Sequence, residues 1–121
     1  MPEQPIDWAA LTPRERDAVV AQHVFGYTLN YEFADVLGAP SVPALRDRWD
    51  DWGLLPYYST AYDSMHQVEN EIDRRGLGSQ YAGALAGLLG DTADLWTILR
   101  ATPAQRCQAA LIALGVLRHD T

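Results

Sequence analysis

The chain has 121 residues, of which 16 are acidic and 9 basic, and a formal net charge of −7. A chain of this length buries enough surface for one hydrophobic core, so we expect a single domain over residues 1–121. The negative charge disfavours attraction to nucleic acid and to anionic membrane surfaces, and we therefore predict no direct nucleic-acid binding.

Two further features concern the cellular compartment. The single cysteine, Cys107, cannot form an intramolecular disulfide and is typical of a reducing environment. The N-terminus lacks the positive start and apolar run of a signal peptide, and no stretch approaches the ~20 apolar residues that span a bilayer. We therefore expect a cytoplasmic protein that is not inserted in a membrane.

The first predicted helix follows a loosely ordered lead-in over residues 1–11. Thr12 is its expected N-cap and Pro13 suits the first helical position. Glu15 stands three residues after Thr12, which is the spacing of a capping box. Apolar residues then recur at helical spacing as far as Gly26, which is expected to end the helix.

The segment 27–56 is interrupted repeatedly by glycine and proline. Its pattern is compatible with a strand over Tyr27–Phe33. It is also compatible with a short helix from Pro43 to Asp51, because Leu45, Trp49 and Trp52 would share one side of that helix.

The next helix begins near Thr60. Ser59 and Thr60 are both candidates for its N-cap, and Asp63 lies in the first turn, where a carboxylate meets the positive end of the helix dipole. Apolar residues recur at helical spacing to Ile72, and Gly76 is the expected end of the helix.

The segment Tyr81–Leu89 is ambiguous, because alanine and leucine favour a helix whereas its glycines weaken either a helix or a strand. Residues 90–92 are typical of a turn, and Leu95–Leu99 has the β-branched and aromatic content of a strand. We therefore prefer an antiparallel hairpin that joins residues 81–89 to 95–99.

The last predicted helix begins at Thr102, where Pro103 and Gln105 repeat the capping pattern of the first helix. It ends at Gly115 and is followed by a tail over residues 116–121. The predicted fold is α+β, with three main helices packed around a short antiparallel hairpin or small sheet, in an α-β-α sandwich.

Three stretches carry a resemblance to a known family. They are the run Tyr58–Thr60 that opens an amphipathic helix, the run Ala101–Cys107 that leads into the last helix, and Leu11–Tyr27 with its glycine-aromatic ending. On these residues the chain resembles the phage ABA-sandwich domain family. The resemblance implies a phage or prophage protein with a small antiparallel sheet between helices, and it implies no established chemistry.

The candidate catalytic and metal-binding residues each have a simpler structural explanation. Asp63, His66 and Glu69 are spaced three residues apart on one predicted helix, as metal ligands would be, but a hydrated helix face explains the same spacing. Cys107 falls on the apolar stripe of the last helix, where a cysteine acts as a small hydrophobic residue, and no positioned histidine is indicated. We predict no metal, no cofactor and no enzymatic activity.

Aromatic residues are concentrated just before the helix that begins near Thr60. Aromatic rings stack on bases and the free amides of a helix N-terminus bind phosphate, whereas the alternative is that these rings fill the core or an oligomer interface. The predicted ligand-binding residues are Trp49, Tyr57, Tyr58, Ser59, Thr60 and Arg100.

The leading functional hypothesis is a non-enzymatic phage accessory protein that counters host defence in the host cytoplasm by sequestering a small nucleotide-derived signal. The alternative is an acidic protein-binding inhibitor that mimics nucleic acid, with Asp47, Asp50 and Asp51 as its densest acidic cluster. The surplus of tryptophan and tyrosine also predicts a homo-oligomer.

Overall fold

A computed structural model describes residues 6–45, 48–90 and 94–118, and for residues 45 and 48–50 it describes the backbone alone. Helices and one pair of strands lie within these ranges. In chain order they are a 3₁₀ helix at Trp8–Ala10, α1 at Pro13–His23, α2 at Ala34–Leu37, β1 at Ser41–Leu45, β2 at Arg48–Leu54, α3 at Tyr62–Arg74, α4 at Gly78–Leu89, α5 at Leu95–Leu99 and α6 at Pro103–Ala113. The predicted α+β class is confirmed.

Capping boxes begin α1 and α6, as the sequence predicts. The Glu15 amide donates to Thr12 Oγ1 at 3.2 Å while the Thr12 amide donates to Glu15 Oε1 at 2.8 Å. The Gln105 amide and the Thr102 amide make the corresponding bonds at 3.1 and 2.9 Å. Each box satisfies amides that the first turn of a helix leaves without a partner, so both helices begin at a defined residue.

The antiparallel hairpin is formed by β1 and β2, where Ser41 faces Leu54 and Val42 faces Gly53. The predicted short helix over Pro43–Asp51 is therefore wrong. Pro43 has no amide hydrogen to donate and fits an edge strand as well as a helix start. Gly53 permits close approach of the two strands, because a Cβ at this position would lie 3.2 Å from the Cβ of Ala44.

The strand considered for Tyr27–Phe33 is reduced to one isolated bridge. The Asn30 amide donates to the Ser41 carbonyl at 2.9 Å and the Ser41 amide donates back at 2.8 Å. The bridge lies beside the start of β1, and α2 follows it at once. The segment therefore crosses the surface as a loop with a single helical turn.

The predicted hairpin over residues 81–89 and 95–99 is also wrong, because both segments are helical. In α4 the exposed Gly83 costs only about 1 kcal/mol, and burial of Ala84 and Leu85 against Ala101 and Ala109 offsets that cost. Small residues at this contact allow α4 and α6 to pack closely. The predicted turn at Asp91 and Thr92 lies outside the described residues.

A local cap decides the structure of α5. The Asp94 carboxylate accepts from the Thr97 amide at 2.9 Å and from the Thr97 hydroxyl at 2.8 Å, which fixes a helix start directly before Leu95. The β-branched and aromatic composition of Leu95–Leu99 favours a strand only on average, and the cap outweighs it.

The helical layer is organised around α6, which contacts α1, α3 and α4. The described residues thus place a helix, rather than the hairpin, at the centre of the packing. Trp8 of the predicted lead-in and Leu117 of the predicted tail are both buried in the main core, so the ordered core extends beyond the long helices. Among the helices described, none is long and apolar enough to cross a bilayer.

Three weak acids in the core, of which Cys107 and Tyr58 are buried and Tyr81 is half-buried, lead to a prediction about alkaline pH. Burial raises the pKa of Cys107, and the negative charges of Asp17 and Glu69 raise it further. Burial also raises the pKa of Tyr58 and of Tyr81. The folded chain therefore keeps protons that the unfolded chain releases above about pH 8.5 for a thiol and about pH 10 for a phenol.

We expect the free energy of unfolding to be unaffected by these groups below pH ~8.5 and to fall as the pH rises above it, because only the unfolded state ionises there. Urea unfolding at a series of pH values measures this slope. The Cys107→Ala variant should have a shallower slope between about pH 8.5 and 10. A wild-type stability that does not change over this range would contradict the buried positions of these groups.

Candidate functional site

A fully buried carboxylate, that of Asp17 on α1, lies under the turn formed by residues 57–60. Its Oδ1 accepts from both the backbone amide and the hydroxyl of Ser59, each at 2.7 Å. Its Oδ2 accepts from Arg14 Nη1 at 2.6 Å. We call Arg14, Asp17 and Ser59 the Asp17 cluster. It satisfies both oxygens of an acid that has no access to solvent.

Arg14 extends the cluster to the segment before the turn. Its Nη2 donates to the Leu55 carbonyl at 2.6 Å and its Nη1 to the Pro56 carbonyl at 3.2 Å. The guanidinium also lies 4.0 Å from the ring centroid of Tyr57. Because Arg14 and Asp17 are one helical turn apart, α1 presents both groups on the side that receives residues 55–59.

The cluster shows why a charge is tolerated inside this small core. An unpaired buried carboxylate is very costly, and pairing with good hydrogen bonds is needed to compensate the desolvation. Asp17 has an arginine partner and two further donors, all from within the chain. Sequence reasoning missed it, although Asp17 continues the helical spacing of Val20, Ala21 and Val24 and so occupies the buried stripe of α1.

A second buried carboxylate, that of Glu71 on α3, binds an arginine that in turn binds the opposite end of α1. Arg75 Nε donates to Glu71 Oε2 at 2.9 Å, and Arg75 Nη2 donates to the Val24 carbonyl at the C-terminus of α1. Arg74 binds the same carboxylate through Nε at 3.0 Å. The two ends of α1 are thus held by arginine and carboxylate pairs with different partners.

The predicted N-cap role of Ser59 and Thr60 is wrong. Ala61 precedes α3 and no side chain caps the helix, because the Ser59 hydroxyl is bound to Asp17 and to the Pro13 carbonyl. Thr60 is exposed in the turn. Ser59 therefore joins the turn to α1 instead of starting α3.

The structure distributes the predicted ligand-binding residues over separate environments. Tyr58 is 1% exposed, its ring stacks on Phe25 at 5.2 Å, and its carbonyl accepts from Cys107 Sγ at 3.2 Å. Tyr57 is 53% exposed, with Arg14 over one face of its ring. Tyr58 thus belongs to the core, and Tyr57 remains at the surface.

The other two predicted residues lie elsewhere along the chain. Trp49 is in β2, and its side chain lies outside the described part of the structure. Arg100 follows α5 and lies 5.8 Å from the Trp96 ring centroid, beside an open cavity of about 320 Å³ that Gln105 also lines. The structure pairs Arg100 with Trp96 and Tyr57 with Arg14, and the ligand site stays a prediction.

The row formed by Asp63, His66 and Glu69 makes contacts within the protein. Glu69 Oε1 lies 3.0 Å from His66 Nδ1, and its Oε2 accepts from the Tyr81 hydroxyl and, at 3.3 Å, from Arg106 Nη1. Glu69 therefore links α3 to α4 and α6. Over residues 6–45, 48–90 and 94–118, no three His, Cys, Asp or Glu side chains are arranged to hold a metal.

An open groove of about 450 Å³ separates α1 from the segment that contains α2. Next to it, large apolar side chains point into solvent, among them Val36, which is 83% exposed. We define the α2 face as Tyr31, Phe33, Val36 and Leu37. Of these four residues Tyr31 also lines the groove, and the other groove walls are mostly apolar, with Leu11, Ala18, Val19, Leu29, Ala39 and Pro40 among them.

The charge around the α2 face is negative. Glu32 and Asp35 are exposed between its apolar residues, and Glu15 lines the groove from α1. The chain contains no arginine or lysine between Arg16 and Arg46. Sequence reasoning missed this surface, although the interleaved apolar and acidic residues of the run 31–37 were a signal for it.

Comparison with protein-family models, with curated proteins and with solved structures finds no match to this chain. The resemblance to the phage ABA-sandwich domain family therefore stays a prediction.

The Asp17 cluster makes a prediction about stability. Asp17→Asn should lower the free energy of unfolding by about 3 kcal/mol, because the guanidinium of Arg14 loses its buried charged partner. Ser59→Ala should cost about 1 kcal/mol, since it removes a hydroxyl donor but keeps the backbone amide bond. The double variant should lose less than the sum of the two, because Asp17→Asn already weakens the charge-assisted bond that Ser59→Ala removes.

Urea unfolding of the four proteins measures these values. The exposed Asp51 provides a matched control, and Asp51→Asn should change stability by no more than about 0.5 kcal/mol. An Asp17→Asn variant as stable as the wild type would show that the cluster does not hold residues 55–59 on α1.

Proposed function

We propose that this protein acts by binding another protein through the α2 face and the groove beside it. The observation that carries the proposal is a group of four large apolar side chains, exposed within the seven residues 31–37 that also carry two exposed carboxylates, beside an open groove with mostly apolar walls. Contiguous exposed apolar surface with a polar rim is typical of protein interaction sites.

The charge of the surface indicates the kind of partner. Glu32 and Asp35 interleave with the apolar residues, and Glu15 adds a third carboxylate at the groove wall. Arg14 also borders the groove, but its guanidinium is bound to Asp17 and to the carbonyls of residues 55 and 56. A helical segment with an apolar stripe flanked by lysine or arginine complements this arrangement.

This proposal develops the alternative hypothesis from the sequence, an acidic inhibitor that occupies a basic surface, and it moves the acidic contact to another place. The cluster expected at Asp47, Asp50 and Asp51 contributes little to the argument, because Asp47 and the side chain of Asp50 lie outside the described residues. The α2 face adds the apolar contacts that an acidic patch alone does not provide.

The sequestration of a nucleotide-derived signal stays a prediction, as do the phage origin and the location in the host cytoplasm. The contacts of Tyr58 and Ser59 weigh against a base-stacking site at the turn, since both side chains are already used inside the fold. Calorimetry against cyclic nucleotides and ADP-ribose derivatives tests this hypothesis separately.

Titration of the ¹⁵N-labelled protein with a synthetic amphipathic helix of leucine and lysine tests the proposed surface. We expect chemical shift changes over residues 29–40 and along α1, and weaker binding at higher salt, because exposed charges are screened. A matched helix of leucine and glutamate should bind much more weakly, since it meets carboxylates of like charge.

Two variants sharpen this test. Phe33→Ala with Val36→Ala should weaken binding of the lysine peptide about tenfold, by loss of apolar contact. Leu54→Ala is the control, because Leu54 is an exposed apolar residue of the hairpin that belongs neither to the α2 face nor to the groove. Glu32→Lys with Asp35→Lys should reverse the preference towards the glutamate peptide. The proposal would be overturned if no chemical shift changes occurred. It would also be overturned if the changes depended neither on the charge of the peptide nor on these variants.

A further inference from the structure

A second apolar surface lies on α5. Leu95, Trp96 and Leu99 are 72%, 65% and 60% exposed, while Ile98 alone packs onto the cluster formed by α4 and α6. We define the α5 face as Leu95, Trp96 and Leu99. Although Arg106 Nη2 also donates to the Leu99 carbonyl at 3.0 Å, the three other large apolar side chains of α5 lie in solvent, as those of an interface helix do before it is covered.

The ends of α5 carry opposite charges. Asp94 precedes the helix and Arg100 follows it, and both are exposed. Asp94 Oδ1 caps the helix through the amide and the hydroxyl of Thr97. Within the described part of the chain, no carboxylate lies within salt-bridge distance of Arg100, whose guanidinium lies over the Trp96 ring. The charges of Asp94 and Arg100 therefore cancel over residues 94–100, with the negative charge before the helix and the positive charge after it.

This balance distinguishes the α5 face from the α2 face. Two copies of a chain with a net charge of −7 repel each other, so a contact between copies requires a locally neutral patch. The α2 face does not qualify, because Glu32 and Asp35 would meet the same acids in a second copy. The α5 face has apolar side chains at its centre and both signs of charge at its ends.

We propose that a second copy of the chain covers the α5 face through an antiparallel pairing of the two α5 helices. In a twofold pair centred at Thr97, Leu95 of each copy lies opposite Leu99 of the other. The same order brings Asp94 of one copy to the helix end that carries Arg100 of the other. A parallel order would instead bring like charges together at both ends.

The pairing leaves the α2 face accessible, because the two surfaces share no residue. A dimer would therefore display two copies of that face and would bind a partner with repeated sites more tightly than a monomer does. This consequence rests on the proposed function, whereas the pairing itself does not.

Sedimentation velocity over a wide range of protein concentration tests the pairing. We expect the wild type to dimerise reversibly and Leu99→Glu to raise the dissociation constant roughly thirtyfold or more, as expected when a central contact is lost. Arg100→Glu should raise it about tenfold through charge repulsion, and Arg100→Lys should retain the dimer. Asp94→Asn should weaken the dimer while keeping the helix cap.

Val36→Glu is the matched control, since it places the same carboxylate on the exposed α2 face. It should leave the dimer intact. Phe33→Ala with Val36→Ala should also leave the dimer intact while weakening binding of the lysine peptide, which separates this inference from the proposed function. Circular dichroism and urea unfolding confirm that each variant is folded. A wild type that is monomeric at every concentration would overturn the inference. A dimer unaffected by Leu99→Glu, or one dissociated by Val36→Glu, would do so as well.

Discussion

The burial of the Asp17 carboxylate is the constraint on which the rest of the structure depends. A charged group in the core must be paired, and Asp17 is bound both by Arg14 on the same helix and by Ser59, forty-two residues later in the chain. Arg14 in turn binds the Leu55 and Pro56 carbonyls. This requirement directs the chain back onto α1 after the hairpin. It also places the Tyr58 ring against Phe25 and the Tyr58 carbonyl against Cys107 Sγ, so that Tyr58 and Ser59 belong to the core while Tyr57 and Thr60 stay exposed.

The same arrangement explains why the function, as proposed, lies on short peripheral elements. The long helices α1, α3 and α4 pack around α6 and bury their apolar stripes there. By contrast, α2 is a single turn without a buried residue, and α5 is attached through Ile98 and through the bond from Arg106 to the Leu99 carbonyl. Both short helices therefore retain exposed apolar faces, one in an acidic setting suited to a basic partner and one with balanced charges suited to a second copy.

Local signals were sufficient where the fold depends on local chemistry. The two capping boxes at Thr12 and Thr102 bind amides within one turn of themselves, so the spacing of Thr, Pro and Glu or Gln predicts both helix starts. The same reasoning applies to Asp94, whose cap was a readable signal that the strand-like composition of Leu95–Leu99 obscured.

The elements that sequence reasoning misplaced depend on distant partners. Whether Pro43 begins a helix or lies in a strand is decided by pairing with the strand that contains Gly53. Whether Ser59 caps α3 or binds α1 is decided by Asp17, which lies forty-two residues before it. In the sequence, a serine that makes such a long-range bond, as Ser59 does, cannot be distinguished from a serine that caps a helix. For that reason the predicted ligand site at the turn combined core residues with surface ones.

Hydrogen exchange at the Ser59 amide tests this account most directly. If that amide is bound to a buried Asp17, it should exchange only when the core opens, and its protection should approach that of the amides in α6. The amides of α2, a single turn without a buried residue, should exchange quickly in the same sample. An unprotected Ser59 amide would show that the turn is free at the surface. It would return residues 57–60 to consideration as a ligand site and contradict the structural role described for Asp17.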